Sequence, residues 1–307
     1  MSRLPGLFLR GMTMGAADVV PGVSGGTLAL ITGIYEELIQ SLSKMHPRLL
    51  KVWAQQGFGA FWREGNFAFL FTVFAGIVTS IVLFAKLIGW LMEHYPVPLW
   101  AFFCGLIIAS VWVVLKPVKR FGMPLWVCFA VGAVIAWLLG SLPGLSGAVG
   151  SGALVFFLSG AVAICAMILP GISGSFILLL LGMYAPVLAA VRGGEMTLLL
   201  AFVAGCGIGL LSFVHLINAA LKHFHDPVMG LLAGFMLGSL NKLWPWRVEV
   251  TGSLLQEKVA PAVYANATGH EPMVTGAVLA LLAGLVAVLL LALIDHRLRK
   301  PADNEAA

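Results

Sequence analysis

Charge is what this sequence has least of. Asp, Glu, Lys and Arg make up 10% of its 307 residues, where a soluble domain carries about a quarter. With 60% hydrophobic residues and a mean hydropathy of +1.01, the chain has too few polar side chains to cover a water-facing surface. A soluble globular domain is therefore excluded. Acids are scarcer than bases, 13 against 18. The resulting net charge of +5 does not mark a nucleic-acid binder, because the bases are scattered over segment ends, where they read as topology signals. Cysteine is sparse and unpaired: Cys104, Cys128, Cys165 and Cys206 sit singly in apolar stretches without a CxxC spacing. They read as small core residues rather than metal ligands or a redox couple. A Walker loop, HExxH, GxSxG and clustered metal ligands are all missing, so no catalytic set, metal or cofactor is expected and the chain does not read as an enzyme.

What is present is a repeated phrase. Pro21-Gly22-Val23-Ser24-Gly25 returns 149 residues later as Pro170-Gly171-Ile172-Ser173-Gly174, and at the same offset Gly33 and Tyr35 meet Gly182 and Tyr184. Each copy interrupts an apolar segment, 2–43 and 151–191. Each half of a segment is about 17 residues, short of the about 20 needed to cross the hydrocarbon. Pro and Gly break helices, and broken backbone at membrane depth is tolerated only where protein buries it or a cavity receives it. Paired breaks at matching places in two halves point to a transporter's binding site.

Around the breaks lie apolar spans at 67–92, 97–115, 124–142, 197–221, 227–241 and 273–294. With an offset of 129, Ala75-Gly76 meets Ala204-Gly205, Pro98 meets Pro227 and Gly105 meets Gly234. The expected fold is an all-α integral membrane protein. It has two inverted-topology repeats, 1–142 and 151–294, each a Pro-Gly-broken re-entrant helical hairpin followed by three transmembrane helices. A cytoplasmic tail follows from 295, expected to be disordered from Pro301. Three spans per repeat turn the second copy upside down. That puts both termini and the 44–66, 116–123 and 222–226 loops on one side with thirteen Lys and Arg, against four on the other. The positive-inside rule makes the thirteen cytoplasmic. The same sidedness results if each hairpin spans twice. Arg3 and Arg10 are followed by no cleavage site, so the N-terminus is expected to belong to the mature protein. The 44–66 loop mixes Trp53, Phe58, Phe61 and Trp62 with basic residues, the pattern of a helix lying on anionic lipid. Trp244 and Trp246 mark an interface belt on the opposite side.

The candidate site follows from the breaks. A helix N-terminus offers unpaired N–H groups and partial positive charge. Gly22, Gly25, Gly26, Gly171 and Gly174 let a ligand approach the backbone, and Ser24, Thr27, Ser173 and Ser175 add hydroxyls. Two tips from opposite faces would make an anion site near the midplane. The plainer alternative is a pair of kinks packed by small residues, which a duplicated break disfavours. Lys86 and His215 coincide under the 129 offset, each inside an apolar span. Both can neutralise the same anion; alternatively Lys86 snorkels to the interface and His215 bonds a neighbouring helix. Asp18 beside the first tip breaks the symmetry, with Met167 opposite it. Asp18, and more remotely Glu36, are the candidates to bind a coupling H+ or Na+. Glu36 and Glu37, nearer the cytoplasmic surface, read better as solvated residues.

The run Gly15-Ala16-Ala17-Asp18-Val19-Val20-Pro21-Gly22-Val23-Ser24-Gly25-Gly26-Thr27, with its second short copy, resembles the bacterial polyprenyl-phosphate transporter family, long known as a domain of unknown function. The likeness covers about residues 5 to 297. It implies a flippase in the bacterial inner membrane that returns undecaprenyl phosphate, the cell-wall carrier lipid, to the cytoplasmic leaflet. It implies no enzyme, no cofactor and no partner beyond this lipid and the bilayer. Other readings are a secondary transporter of a small soluble anion and, from another class, a membrane lipid phosphatase pairing His215 with Ser24 or Ser173. Oligomeric state is not legible.

Overall fold

In the computed structural model the described residues are 3–18, 24–116, 118–141, 152–249 and 256–304. The helices before the first long span are short: α1 (Arg3–Asp18), α2 (Gly25–Ile31), α3 (Tyr35–Ser43), α4 (Pro47–Gln56) and α5 (Phe58–Glu64). Then come α6 (Phe67–His94), α7 (Pro96–Leu115), α8 (Met123–Ser141), α9 (Ala153–Ile168), α10 (Gly174–Leu180), α11 (Tyr184–Gly193), α12 (Met196–His223) and α13 (His225–Ser239). A 3-10 turn, Leu240–Leu243, leads into a two-stranded antiparallel hairpin of β1 (Arg247–Glu249) and β2 (Gln256–Lys258). The chain closes with α14 (Pro261–Thr268) and α15 (Val274–Asn304). Among the described residues four helices are long and apolar enough to cross a membrane, or five if the bent pair α10–α11 is one span. The chain is a multi-pass, overwhelmingly helical membrane protein.

Local sequence explains the repeated interruptions. Leu169 leaves α9 in an extended conformation, and Pro170 follows, which cannot continue a helix. Gly171 then turns at φ +83°, a conformation glycine adopts without penalty. Each short helix after a break ends on a second glycine in the left-handed region, Gly33 at φ +70° and Gly182 at +68°. In each, the next residue closes the end by a long backbone bond. Ile34 N–H donates to the Ala29 carbonyl at 2.9 Å, and Met183 N–H to that of Leu178 at 2.8 Å. The repeated glycine-x-tyrosine is therefore a helix stop and restart, and α10 and α11 meet there at a bend of 105°.

Two compact units are formed, and neither is a sequence half. The first contains Met1–Ala85 and Leu142–Val228, and the second Lys86–Ser141 and Met229–Ala307. The first unit gathers both broken hairpins and the long helix after each; the second gathers the remaining long helices. Within each unit the packing repeats at the sequence offsets. A side chain at Gly11 of α1 would strike the Val73 carbonyl of α6, and one at Gly76 the Phe8 carbonyl. In α9 and α12 the corresponding collisions are Gly160 with Phe202 and Gly205 with Phe157. In the second unit Gly105 faces the Leu281 carbonyl and Gly284 that of Phe102, while Gly234 faces Phe129 and Gly132 faces Leu231. Glycine thus brings helix backbones into contact, which lipid-embedded helices need because apolar side chains have no water to escape.

Two local expectations change. The 44–66 region is two helices rather than one interfacial helix, because Gly57 at φ +81° separates α4 from α5. Its aromatics still cluster, with Phe61 4.8 Å from Phe67 and Trp62 stacked on Phe71 at 5.5 Å between centroids. At the other end, α15 runs to Asn304, through residues expected to form a tail.

Replacing Gly160 by valine should lower thermal stability in detergent by about 1–3 kcal/mol, the usual cost of overpacking. Gly207→Ala, on the partner helix α12 but with open space around it, should leave the melting temperature unchanged.

Candidate functional site

The first unit brings the two breaks together. Ser24 is the N-cap of α2, and its Oγ accepts from the Gly26 N–H at 3.1 Å while donating to the Met167 carbonyl at 3.2 Å at the end of α9. Thr27 Oγ1 accepts the Gly171 N–H at 2.9 Å. Thr27 is completely buried and Gly171 is buried beside it. Gly26 is required at this crossing, since a Cβ there would sit 2.9 Å from the Ile168 carbonyl. The polar groups freed by one break are thus satisfied by side chains of the other, as buried backbone demands.

The first tip is closed by an internal acceptor. Asp18 Oδ1 accepts the Gly25 N–H at 2.6 Å, taking the place at the start of α2 where the sequence suggests a ligand. A Cβ at Gly25 would run into the same carboxylate. At the second tip the corresponding glycine, Gly174, faces the Met167 side chain and the Ala163 carbonyl. Without a carboxylate there, Ser173 and Ser175 bond each other, Oγ to Oγ at 2.8 Å. Ser173 is half-buried and Ser175 exposed.

These groups share a cavity of about 320 Å3. Its polar lining is Asp18, Ser24, Ser173, Gly174 and Ser175; Met167, Leu178 and Phe202 form the apolar wall. Cys206 also lines it, with its Sγ–H on the Gly160 carbonyl at 3.4 Å. A ligand entering would meet three hydroxyls and one carboxylate against a hydrocarbon wall. That suits a head group with several acceptor oxygens carried on an apolar chain.

Other candidates lie elsewhere. Gly22 falls outside the described residues. Lys86 is exposed on α6 and is the first residue of the second unit. His215 is exposed on α12, its Nδ1 2.6 Å from the Leu211 carbonyl and its ring 6.4 Å from that of His46. Among the described residues no histidine lines the cavity, so the Ser–His pairing a phosphatase would need is not formed. Asn218, one turn on, donates to Ser43 Oγ at 2.9 Å. Glu36 pairs with His225, Oε1 to Nε2 at 3.1 Å, and His225 Nδ1 is 3.1 Å from Asp226 Oδ1. Burial works against a charged ring, but the bonds to Asp226 and Glu36 and their charges raise the His225 pKa above its usual 6.5. The Asp18–Gly25 bond is the feature sequence reasoning missed. Its only trace in the sequence is an acid just before the break.

The family model described as undecaprenyl phosphate translocase-like matches residues 14–259. The chain is similar to a polyprenyl-phosphate transporter of Vibrio cholerae, 46% identical over 293 residues, covering 92% of this chain and 94% of the relative. It is also similar to a polyprenyl-phosphate transporter of Staphylococcus aureus, 32% identical over 253 residues, covering 77% and 85%. No solved structure matches the chain significantly.

Two predictions follow from this geometry. Thr27→Val strands the Gly171 N–H in a buried setting and should destabilise the protein by about 1–3 kcal/mol, and Ser24→Ala by about 1 kcal/mol through loss of the cap. Ser175→Ala should be near neutral; thermal denaturation in detergent ranks the three. Because the His225 pKa is raised on folding, its pair with Glu36 stabilises fully below about pH 6.5 and is lost as pH rises through the folded value. The melting-temperature difference between wild type and Glu36→Gln should therefore shrink from about pH 6 to about pH 9.

Proposed function

The chain belongs to the undecaprenyl phosphate translocase-like family, whose matched relatives are transporters rather than enzymes, and we propose that it moves undecaprenyl phosphate across the bacterial inner membrane to recycle the carrier lipid. The observation that carries this reading is the shared cavity at two mutually bonded helix breaks. The head group is a phosphomonoester of about −1.5 to −2 charge near neutral pH, and exposing it to hydrocarbon is the barrier to unaided flipping. Ser173 and Ser175 donate to its oxygens, while the prenyl chain leaves along the apolar wall. A second cavity of about 320 Å3, lined by apolar residues of α1, α3 and α6 including Met14, Leu38, Phe71 and Phe74, takes part of that tail.

The two halves are inverted-topology repeats with both termini cytoplasmic, and alternating access exposes the cavity to each face in turn. Asp18 is the coupling residue. A carboxylate and a phosphate in one small cavity repel unless a proton or cation lies between them. Substrate and H+ or Na+ therefore enter together. Glu36, engaged by His225, holds the cytoplasmic ends of its helices rather than the cargo.

Binding to detergent-purified protein tests this, with undecaprenyl phosphate compared against undecaprenol and inorganic phosphate. The lipid phosphate should bind best, and Ser173→Ala with Ser175→Ala should weaken it about 10–100-fold, the equivalent of losing a hydrogen bond to a charged group. Asp18→Asn keeps an acceptor for Gly25 and removes the charge, so it should tighten binding at alkaline pH while abolishing ion-coupled movement. Equal affinity for inorganic phosphate would instead favour a small-anion transporter.

A further inference from the structure

In the second unit, which holds none of the lining residues of the cavity above, Arg247 lies over the ring of Trp100 in α7, its guanidinium carbon 3.9 Å from the ring centroid. Its Nε and Nη2 are buried and have no hydrogen-bond partner. Strand register sets Lys258 directly opposite Arg247 across the hairpin, where like charges repel. The Lys258 ammonium donates to Asn241 Oδ1 at 2.6 Å, and Asn241 is anchored in turn to the Trp137 carbonyl at 3.2 Å and Ser141 Oγ at 2.7 Å of α8. Lys242 adjoins Asn241 in the 3-10 turn. Among the described residues no carboxylate forms an ion pair with Arg247 or Lys258.

Such an arrangement is unfavourable without an anion. A buried cation lacking a counter-charge costs several kcal/mol, and buried unpaired donors are rare in native structures. Burial pushes the Arg247 guanidinium down to about 10. The frame that holds these cations is fixed. Trp244 donates to the Val259 carbonyl at 2.9 Å, Trp246 to that of Pro272 at 2.8 Å, and Val259 N–H to that of Trp246 at 3.1 Å. A site held ready in this way loses little conformational freedom on binding.

We propose that Arg247 and Lys258 form a binding site for a phosphate-type anion over the face of Trp100. The unpaired Nε and Nη2 present a planar fork that matches two phosphate oxygens, a geometry a lysine cannot supply. The aromatic face holds the fork in place. Lys258 supplies a second positive charge for a dianionic monoester. The anion is either the head group of a lipid phosphate or free phosphate, and the chemistry of recognition is the same.

Native mass spectrometry of the full-length protein, with inorganic phosphate and separately with dodecyl phosphate, tests the site. Arg247→Met, which keeps the packing on Trp100, and Lys258→Gln, which removes the positive charge, should each weaken one bound phosphate at least tenfold. Arg192→Gln, and Ser173→Ala with Ser175→Ala, should leave that binding event untouched, which separates this site from the cavity of the first unit. Loss with both probes identifies a general phosphate site; loss with dodecyl phosphate alone identifies a lipid head-group site. Wild-type stoichiometry and affinity in both Arg247→Met and Lys258→Gln would overturn the proposal and leave the cluster as packing around Trp100.

Discussion

Thr27 and Gly171 hold each other in a place no water reaches, a threonine hydroxyl accepting a backbone N–H at 2.9 Å. The rest of the first unit depends on this bond and its companion from Ser24 to Met167. Breaking a helix inside a bilayer frees backbone groups that lipid cannot satisfy. Here the first break supplies two side chains, Ser24 and Thr27, to backbone groups of the second. The bonding also spends the donors of the first tip on Asp18 and Ser24. The second tip, whose serines bond only each other, is left as the side that can turn toward a ligand. Both tips belong to one compact unit.

Duplication is kept in packing and relaxed in chemistry. Gly11 and Gly160, Gly76 and Gly205, Gly105 and Gly234, Gly132 and Gly284 all press on a backbone carbonyl of a neighbouring helix. A side chain at any of them would push the helices apart. The differences fall on groups that can carry charge. Asp18 stands where the second copy has Met167, and Lys86 stands where it has His215. Asp18 therefore puts a carboxyl group on one side of the shared cavity where the other side has a thioether.

Much of this was legible in the sequence. Pro21-Gly22 and Pro170-Gly171 announce broken helices because their backbone chemistry acts locally, and Gly33 and Gly182 announce helix stops for the same reason. The long helices form where the apolar runs lie, though α15 continues to Asn304, ten residues beyond its run. What was not legible is tertiary. Nothing near Asp18 reveals that its carboxylate folds back onto Gly25, nor anything near Arg247 that it stacks on Trp100, far away in the chain. The offset that equates Lys86 with His215 fixes their register but not the side each faces, and both are exposed. The division into units was hidden as well, since each takes elements from both halves, and sequence adjacency favours the halves.

The measurement that bears most directly on this account is translocation in proteoliposomes, following a fluorescent short-chain polyprenyl phosphate from one leaflet to the other. The account predicts that the protein accelerates flipping of the phosphate lipid but not of the corresponding alcohol. It also predicts that the folded Ser173→Ala, Ser175→Ala double variant loses most of that acceleration. Equal acceleration of the alcohol, or a double variant as fast as wild type, would contradict a phosphate site at the paired breaks.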